Sequence, residues 1–161
     1  MPEVLFNIPL VRWVLGTIEK MNDAGRNDFE TWSNYWFSTY KDLGGQSDSS
    51  GSKGCPQLAT YGLWRLGRIS NSGKDFQIWT LERVNEELGK NAAYAVLALD
   101  LLEMKRSEKD TESHPSKAKL WAKVQELYQK KLGEPPARSE QGAIKIALSL
   151  FAEGQTLSRP Q

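Results

Sequence analysis

A chain of 161 residues, 39% hydrophobic and 25% charged, has the composition of an ordinary globular protein, long enough to bury a core without disulfides or structural metals. The formal net charge of +1 argues against an overall attraction to nucleic acid or membrane and leaves only a local patch as a route to either. A lone cysteine rules out a disulfide within the chain and fits a reducing compartment, and no apolar run reaches the ~20 residues of a membrane span. Val4, Leu5 and Phe6 lack a basic flank, so they do not read as a secretory leader. The expected location is the cytoplasm, without membrane contact.

In chain order, Asn7-Ile8-Pro9 predicts the opening of a first helix, with Leu10, Val14 and Ile18 on one face and the end near Met21. Asn22 to Gly25 read as a turn. Asn27 and Glu30 have capping-box spacing ahead of Phe29, Trp32, Trp36, Tyr40 and Leu43, a helical stripe stopped by Gly44. From Gly44 to Gly54 nearly every residue is Gly, Ser, Asp, Gln or Lys, a composition that buries no apolar surface and predicts a mobile loop.

Pro56 suits the first turn of the next helix, because it has no N–H to satisfy there. Ala59, Gly62, Leu63 and Leu66 then share a face, on which Gly62 admits another helix closely, and Gly67 supplies a left-handed stop. Ser70 to Gly73 form a turn, and Phe76, Ile78 and Trp79 an extended connector too short to name a strand. Thr80 caps a short helix ended by Gly89.

Asn91 is read as the cap of a segment, Ala92 to Leu99, that has no polar face and so should be buried on all sides as the central helix. Lys105 to Glu112 read as an exposed linker. Pro115 should start a helix with Leu120, Trp121, Val124, Leu127 and Tyr128, stopped by Gly133. Glu134-Pro135-Pro136 is a rigid spacer. A final helix carries Ala143, Ile144, Ala147, Leu148 and Phe151, with Gly154 as its cap and a fraying tail from Leu157. Trp32 precedes Leu43-Gly44 by the offset at which Trp121 precedes Leu132-Gly133, which suggests a divergent repeat of a helix–loop–helix unit.

The expectation is therefore a single all-α domain over residues 1–161, a compact bundle of about six or seven helices. A first helical pair spans 27–69, the central helix 91–104 and a second pair 115–154.

Lys53-Gly54-Cys55-Pro56, Tyr61-Gly62-Leu63, Leu66-Gly67, the Asn91–Tyr94–Ala95 helix start, Leu120-Trp121, and Gln141 before Leu150-Phe151 and Gly154 form one pattern. It resembles a family of small bacterial proteins catalogued only as a domain of unknown function. The resemblance runs from about Phe29 onward, and the helix from Thr80 to Gly89 looks like an insertion within it. It implies a fold and no activity.

Three chemistries are weighed on the residues themselves. Cys55, at a helix N-terminus near Lys53, has the setting that lowers a thiol pKa, but without a placed base it reads better as a buried packing residue. Ser50, Gly51, Ser52, Lys53 and Gly54 have the composition of an anion nest, although the ending of a P-loop is missing and a plain loop is the simpler reading. Arg65, Arg68, Lys74 and Arg83 with Trp64 and Trp79 form a basic aromatic cluster suited to nucleic acid or to a partner surface, offset by Glu82, Glu86 and Glu87. His114 reads as a helix cap. No Cys/His cluster could hold zinc, and no cofactor is expected.

With no recognisable catalytic constellation and six tryptophans, residues frequent at interfaces, the leading expectation is a non-enzymatic binding or regulatory module with a protein partner. The alternative is a nucleic-acid-binding or phosphate-binding protein using the Ser/Gly loop and the Arg65–Arg83 region.

Overall fold

The computed structural model describes residues 3–107 and 116–157. His114 and Pro115 lie outside the described residues, as does most of the predicted 105–112 linker. Among the described residues the chain is a helical bundle of seven longer helices and one single-turn helix, with one two-stranded hairpin. The hairpin comes first, β1 (Val4–Leu5) and β2 (Ile8–Pro9), antiparallel with Leu5 opposite Ile8. Then follow α1 (Leu10–Ala24) and α2 (Phe29–Asp42). A single helical turn, α3 (Asp48–Gly51), precedes α4 (Gly54–Arg65). The chain finishes with α5 (Leu81–Leu88), α6 (Lys90–Ser107), α7 (Lys117–Leu132) and α8 (Ala143–Ala152).

The bundle is built around α6. Every residue from Ala92 to Leu99 is buried, so this helix has no solvent face, and α4, α5, α7 and α8 all pack on it. Its small residues set the closest approach. A Cβ added at Gly62 of α4 would stand 2.5 Å from the Cβ of Ala92, so the contact exists only because position 62 has no side chain. α4 ends where Gly67 turns left-handed at φ +70°. There the connector folds back so tightly that a Cβ on Gly67 would meet the Asp75 carbonyl at 2.1 Å.

The second organising element is aromatic. Trp13 stacks on Trp36 at 4.1 Å between ring centres, and Trp32 stacks on Trp64 at 5.2 Å. All four rings are fully buried and join α1, α2 and α4. The indole N–H of Trp13 donates to the Trp36 carbonyl at 2.8 Å, and that of Trp64 donates to the Ser72 carbonyl at 3.3 Å.

Several local expectations need correcting. The first helix does not open at Asn7. Phe6 (φ +52°) and Asn7 (φ +66°) form a two-residue hairpin turn, Pro9 sits at the cap position, and α1 then runs to Ala24 rather than Met21. The cap of α2 is Asp28, not Asn27: its carboxylate accepts from the Thr31 N–H at 3.0 Å. The Gly44–Gly54 segment is not a featureless loop, since Ser47 caps α3 and Gly51 is buried against Tyr40. Asn91 lies inside α6, which starts at Lys90, and that helix continues through Lys105 to Ser107. Leu157 does not fray, because its N–H donates to the Arg68 carbonyl at 3.0 Å and Thr156 bridges Ile69.

The two aromatic helices also match in a different register from the one the tryptophans suggest. Counted from their caps, Asp28 and Ser116, the buried hydrophobic positions are Trp32, Trp36 and Tyr40 in α2, and Leu120, Val124 and Tyr128 in α7. Trp32 thus corresponds to Leu120, and Trp121 lies partly exposed beside it.

Gly62→Leu should destabilise the protein by about 1–3 kcal/mol, through overpacking against Ala92. On an open helix face the same change would gain up to about 1 kcal/mol. Urea melts of the two proteins decide the sign, and a stabilised variant would contradict the α4–α6 contact.

Asp28 supplies a pH test. Hydrogen bonds from the Thr31 hydroxyl, then the Thr31 N–H, then Arg26 hold its carboxyl far below the ordinary 3.8. A depressed folded-state pKa stabilises above the unfolded value and is lost as pH falls. The melting-temperature gap between the native protein and Asp28→Ala should be full at pH 7 and shrink steadily below about pH 4. A gap that stays constant down to pH 2 would contradict the cap.

Candidate functional site

Three segments far apart in the chain meet at one cleft of about 390 Å³. The hairpin tip contributes Leu5 and Phe6, the start of α4 contributes Lys53 to Pro56, and the turn before α8 contributes Gln141 and Gly142. Local chemistry explains how each arrives. Phe6 is held at positive φ by the hairpin turn. Lys53, in extended conformation, leads into α4 with no side chain capping the helix, so the first-turn N–H groups of Gly54 and Cys55 face no internal acceptor from a cap. Gln141 (φ +56°) and Gly142 (φ +90°) are both left-handed. The carboxylate of Glu140 bends back to accept from the Gly142 and Lys145 N–H groups, so α8 carries its own anion at its N-terminus.

Cys55 is partly exposed in this cleft rather than buried beside Pro56. The packing expectation therefore needs correction: Pro56 is the buried member of the pair, and the thiol lies at the cleft wall. Phe6, Leu5 and Pro56 give that wall an apolar side, while Lys53, the Gln141 amide and the α4 N-terminus give it a positive, donor-rich one. Among the described residues the cleft lining includes no imidazole and no carboxylate.

The anion nest expected over Ser50–Gly54 is largely spent on local structure. The Ser50 N–H donates to the Ser47 hydroxyl, and the Gly51, Ser52 and Lys53 N–H groups donate to the Ser47, Asp48 and Ser50 carbonyls. Those four donors are already bonded within the segment, and only its α4 end, at Lys53 and Gly54, reaches the cleft.

The basic aromatic cluster is also dispersed. Trp64 is fully buried. Arg68 has a side chain only 3% exposed, paired with Asp100 at 2.6 Å and lying over the Phe76 ring. Arg83 stacks on Trp79 at 3.7 Å and pairs with Glu87 at 2.6 Å. Arg65 and Lys74 stay partly exposed at the far end of α4. The interface role expected of the six tryptophans is corrected for four of them, because Trp13, Trp32, Trp36 and Trp64 lie in the core, whereas Trp79 and Trp121 are partly exposed.

Away from the cleft, a tyrosine–carboxylate network was not foreseen from the sequence. The Tyr128 hydroxyl donates to Glu134 at 2.6 Å, and Asn85 contacts both groups. Burial, followed by the Glu134 hydrogen bond, pushes the phenol above its ordinary range, so it stays protonated and ties the Pro-rich spacer to α5 and α7. The Glu134-Pro135-Pro136 spacing was the available signal. It marks a rigid segment but not its anchor.

Fold and cleft together define an all-α protein with a preformed pocket at the junction of two helix N-termini. The chain belongs to a family of unknown function, DUF6979, whose model matches residues 15–156. The hairpin wall of the cleft, residues 4–9, lies outside that match, whereas the α4 and α8 walls lie inside it. No curated protein matches the chain, and no solved structure does. Among the described residues no helix is long and apolar enough to cross a membrane.

The exposure of Cys55 has a direct consequence. Iodoacetamide should label it fully in the folded protein without denaturant, because alkylation needs an accessible sulfur. Labelling only at urea concentrations that unfold the chain would place the thiol in the core instead.

Proposed function

We propose that this protein is a non-enzymatic helical binding module that acts in the cytoplasm by protein–protein interaction, and that the Cys55 cleft seats a short segment of the partner. The observation that carries this reading is the convergence of three distant segments, with left-handed backbone at Phe6 and Gln141, on one preformed cleft. Backbone held in sparsely populated conformations costs roughly 1–3 kcal/mol per residue and concentrates at functional sites. The wall chemistry suits a partner segment that offers an apolar side chain to Phe6 and Pro56 and a carbonyl or carboxylate to the α4 N–H groups and Gln141. A thiol with no imidazole or carboxylate beside it on the cleft lining favours binding over turnover.

The nucleic-acid alternative is less well supported. Of its aromatic platforms, Trp64 is buried and Trp79 is covered by Arg83. Neither of these two rings is therefore a bare platform of the kind that base stacking uses.

A photo-crosslinking amino acid placed at Phe6 and expressed in the native host tests the reading. It should give discrete protein adducts that disappear when Cys55→Trp fills the cleft, with circular dichroism confirming that the variant folds. The same probe at Ile78, which is 69% exposed and outside the cleft, should not give them. Absence of adducts at Phe6, or adducts that persist in the Cys55→Trp protein, would overturn it.

A further inference from the structure

The solvent side of α1 carries a continuous stripe at helical spacing: Arg12, Leu15, Gly16, Glu19 and Asp23. These residues line a groove of about 480 Å³ together with Leu43, the cap residue that ends α2. The two helices cross closely here, since a Cβ on Gly16 would stand 2.9 Å from the Thr39 methyl carbon. Leu15, Gly16 and Leu43 are all partly exposed and give the groove an apolar middle. It shares no lining residue with the Cys55 cleft.

The charges of the stripe are sorted by position. Arg12 lies toward the N-terminal end of α1, and Glu19 and Asp23 lie about two and three turns further on. Among the described residues none of the three makes an ion pair. Lys20, the other cation of the groove, is already held by Asp42 at 2.7 Å and by the Ser38 hydroxyl at 2.9 Å. Glu19 and Asp23 stand one turn apart, a like-charge spacing that is unfavourable until a cation comes between them.

This pattern is its own complement. When a second copy is turned end for end about a twofold axis through the Leu15–Gly16 peptide, Arg12 faces Glu19 of that copy, with Asp23 one turn beyond. Leu15 then faces Gly16 of that copy, and the symmetry repeats every contact. We propose that two copies of this chain associate through this face, α1 against α1 in antiparallel. Each Leu15 enters the space over a glycine beside Leu43, and each Arg12 guanidinium supplies the cation that the opposite carboxylates lack. A phosphate or a nucleic-acid backbone would meet three carboxylates in the groove against two cations. A foreign protein would need the reversed charge order that the chain itself already carries. Exposed ion pairs around a small apolar centre make the dimer weak and sensitive to salt.

Sedimentation velocity of the full chain, at concentrations up to about 1 mM, tests this. A monomer–dimer equilibrium is expected, displaced toward monomer by added salt. Arg12→Glu and Glu19→Arg should each weaken the dimer roughly tenfold or more, because each breaks two symmetry-related pairs and sets like charges face to face. The double variant Arg12→Glu/Glu19→Arg, which keeps the native net charge, should restore most of the association. Lys130→Glu, the same charge change on the exposed side of α7, should leave it unaltered. Circular dichroism establishes that each variant keeps its helices. A chain that stays monomeric over the whole range would overturn the proposal. So would a dimer indifferent to either single reversal, or a loss that the folded double variant does not repair. A monomer that crosslinks to host proteins from a photo-reactive residue at Leu15 would overturn it as well, and would assign the groove to a foreign partner.

Discussion

Everything in this structure depends on how closely α4 and α6 approach at Gly62 and Ala92. The central helix is apolar on every side and rich in alanine, so its neighbours come in to backbone distance instead of standing off on long side chains. The approach of α4 on one flank and α8 on another brings their N-terminal ends together. Gly142 faces Pro56 with only van der Waals space between them: an added Cβ would stand 3.7 Å from the proline ring. The cleft at Cys55 is thus a by-product of small residues packed two turns deeper in the bundle. Sequence dictates helix spacing, helix spacing dictates where two helix starts meet, and that junction is the pocket.

The tryptophan stack is the second constraint, and it explains why the N-terminal third belongs to the same core. Trp13 from α1, Trp32 and Trp36 from α2 and Trp64 from α4 lie in partial stacking contact, and each buried ring removes a large area from water. The Arg68–Asp100 pair, a buried guanidinium on a partly exposed carboxylate, is a different kind of tie. It fixes the turn after α4 to α6, and because removing Asp100 would take this counter-charge from a buried guanidinium, it constrains geometry more than it adds stability. Both ties act on the same end of α4, the end that carries Arg65. The opposite end carries Cys55 and opens on the cleft.

Most of the fold was legible in the sequence because helical periodicity and capping chemistry are local. Thr80 caps α5 as expected, the central helix is buried as its composition requires, and Gly67, Gly133 and Gly154 are all left-handed at helix ends. What was not legible depended on distant partners. Arg68 reads as a surface cation until Asp100, 32 residues later, is found against it. Trp64 reads as an interface residue until the Trp32 ring is stacked on it. The hairpin escaped because its turn uses Phe6-Asn7 instead of the glycine-containing pairs that make such turns recognisable. The helical turn in the Ser/Gly segment escaped because its stability comes from Tyr40, which covers Gly51 and accepts from the Ser47 N–H at 2.9 Å. The cleft was half visible: Cys55 and Gln141 both stood out, but nothing in their spacing placed them on facing walls.

If the α4–α6 contact governs the architecture, it should also govern the order in which the structure opens. Native-state hydrogen exchange measures this directly, since amides protected by the most stable unit exchange only through global unfolding. The amides of Ala92 to Leu99 and of the Ala59–Leu63 stretch of α4 should exchange last and together, with a free energy equal to that of global unfolding. Those of α5 and α7, which pack on α6 from outside, should exchange earlier. Exchange of the α6 amides through a local opening, ahead of α5 or α7, would contradict the central place given to this helix.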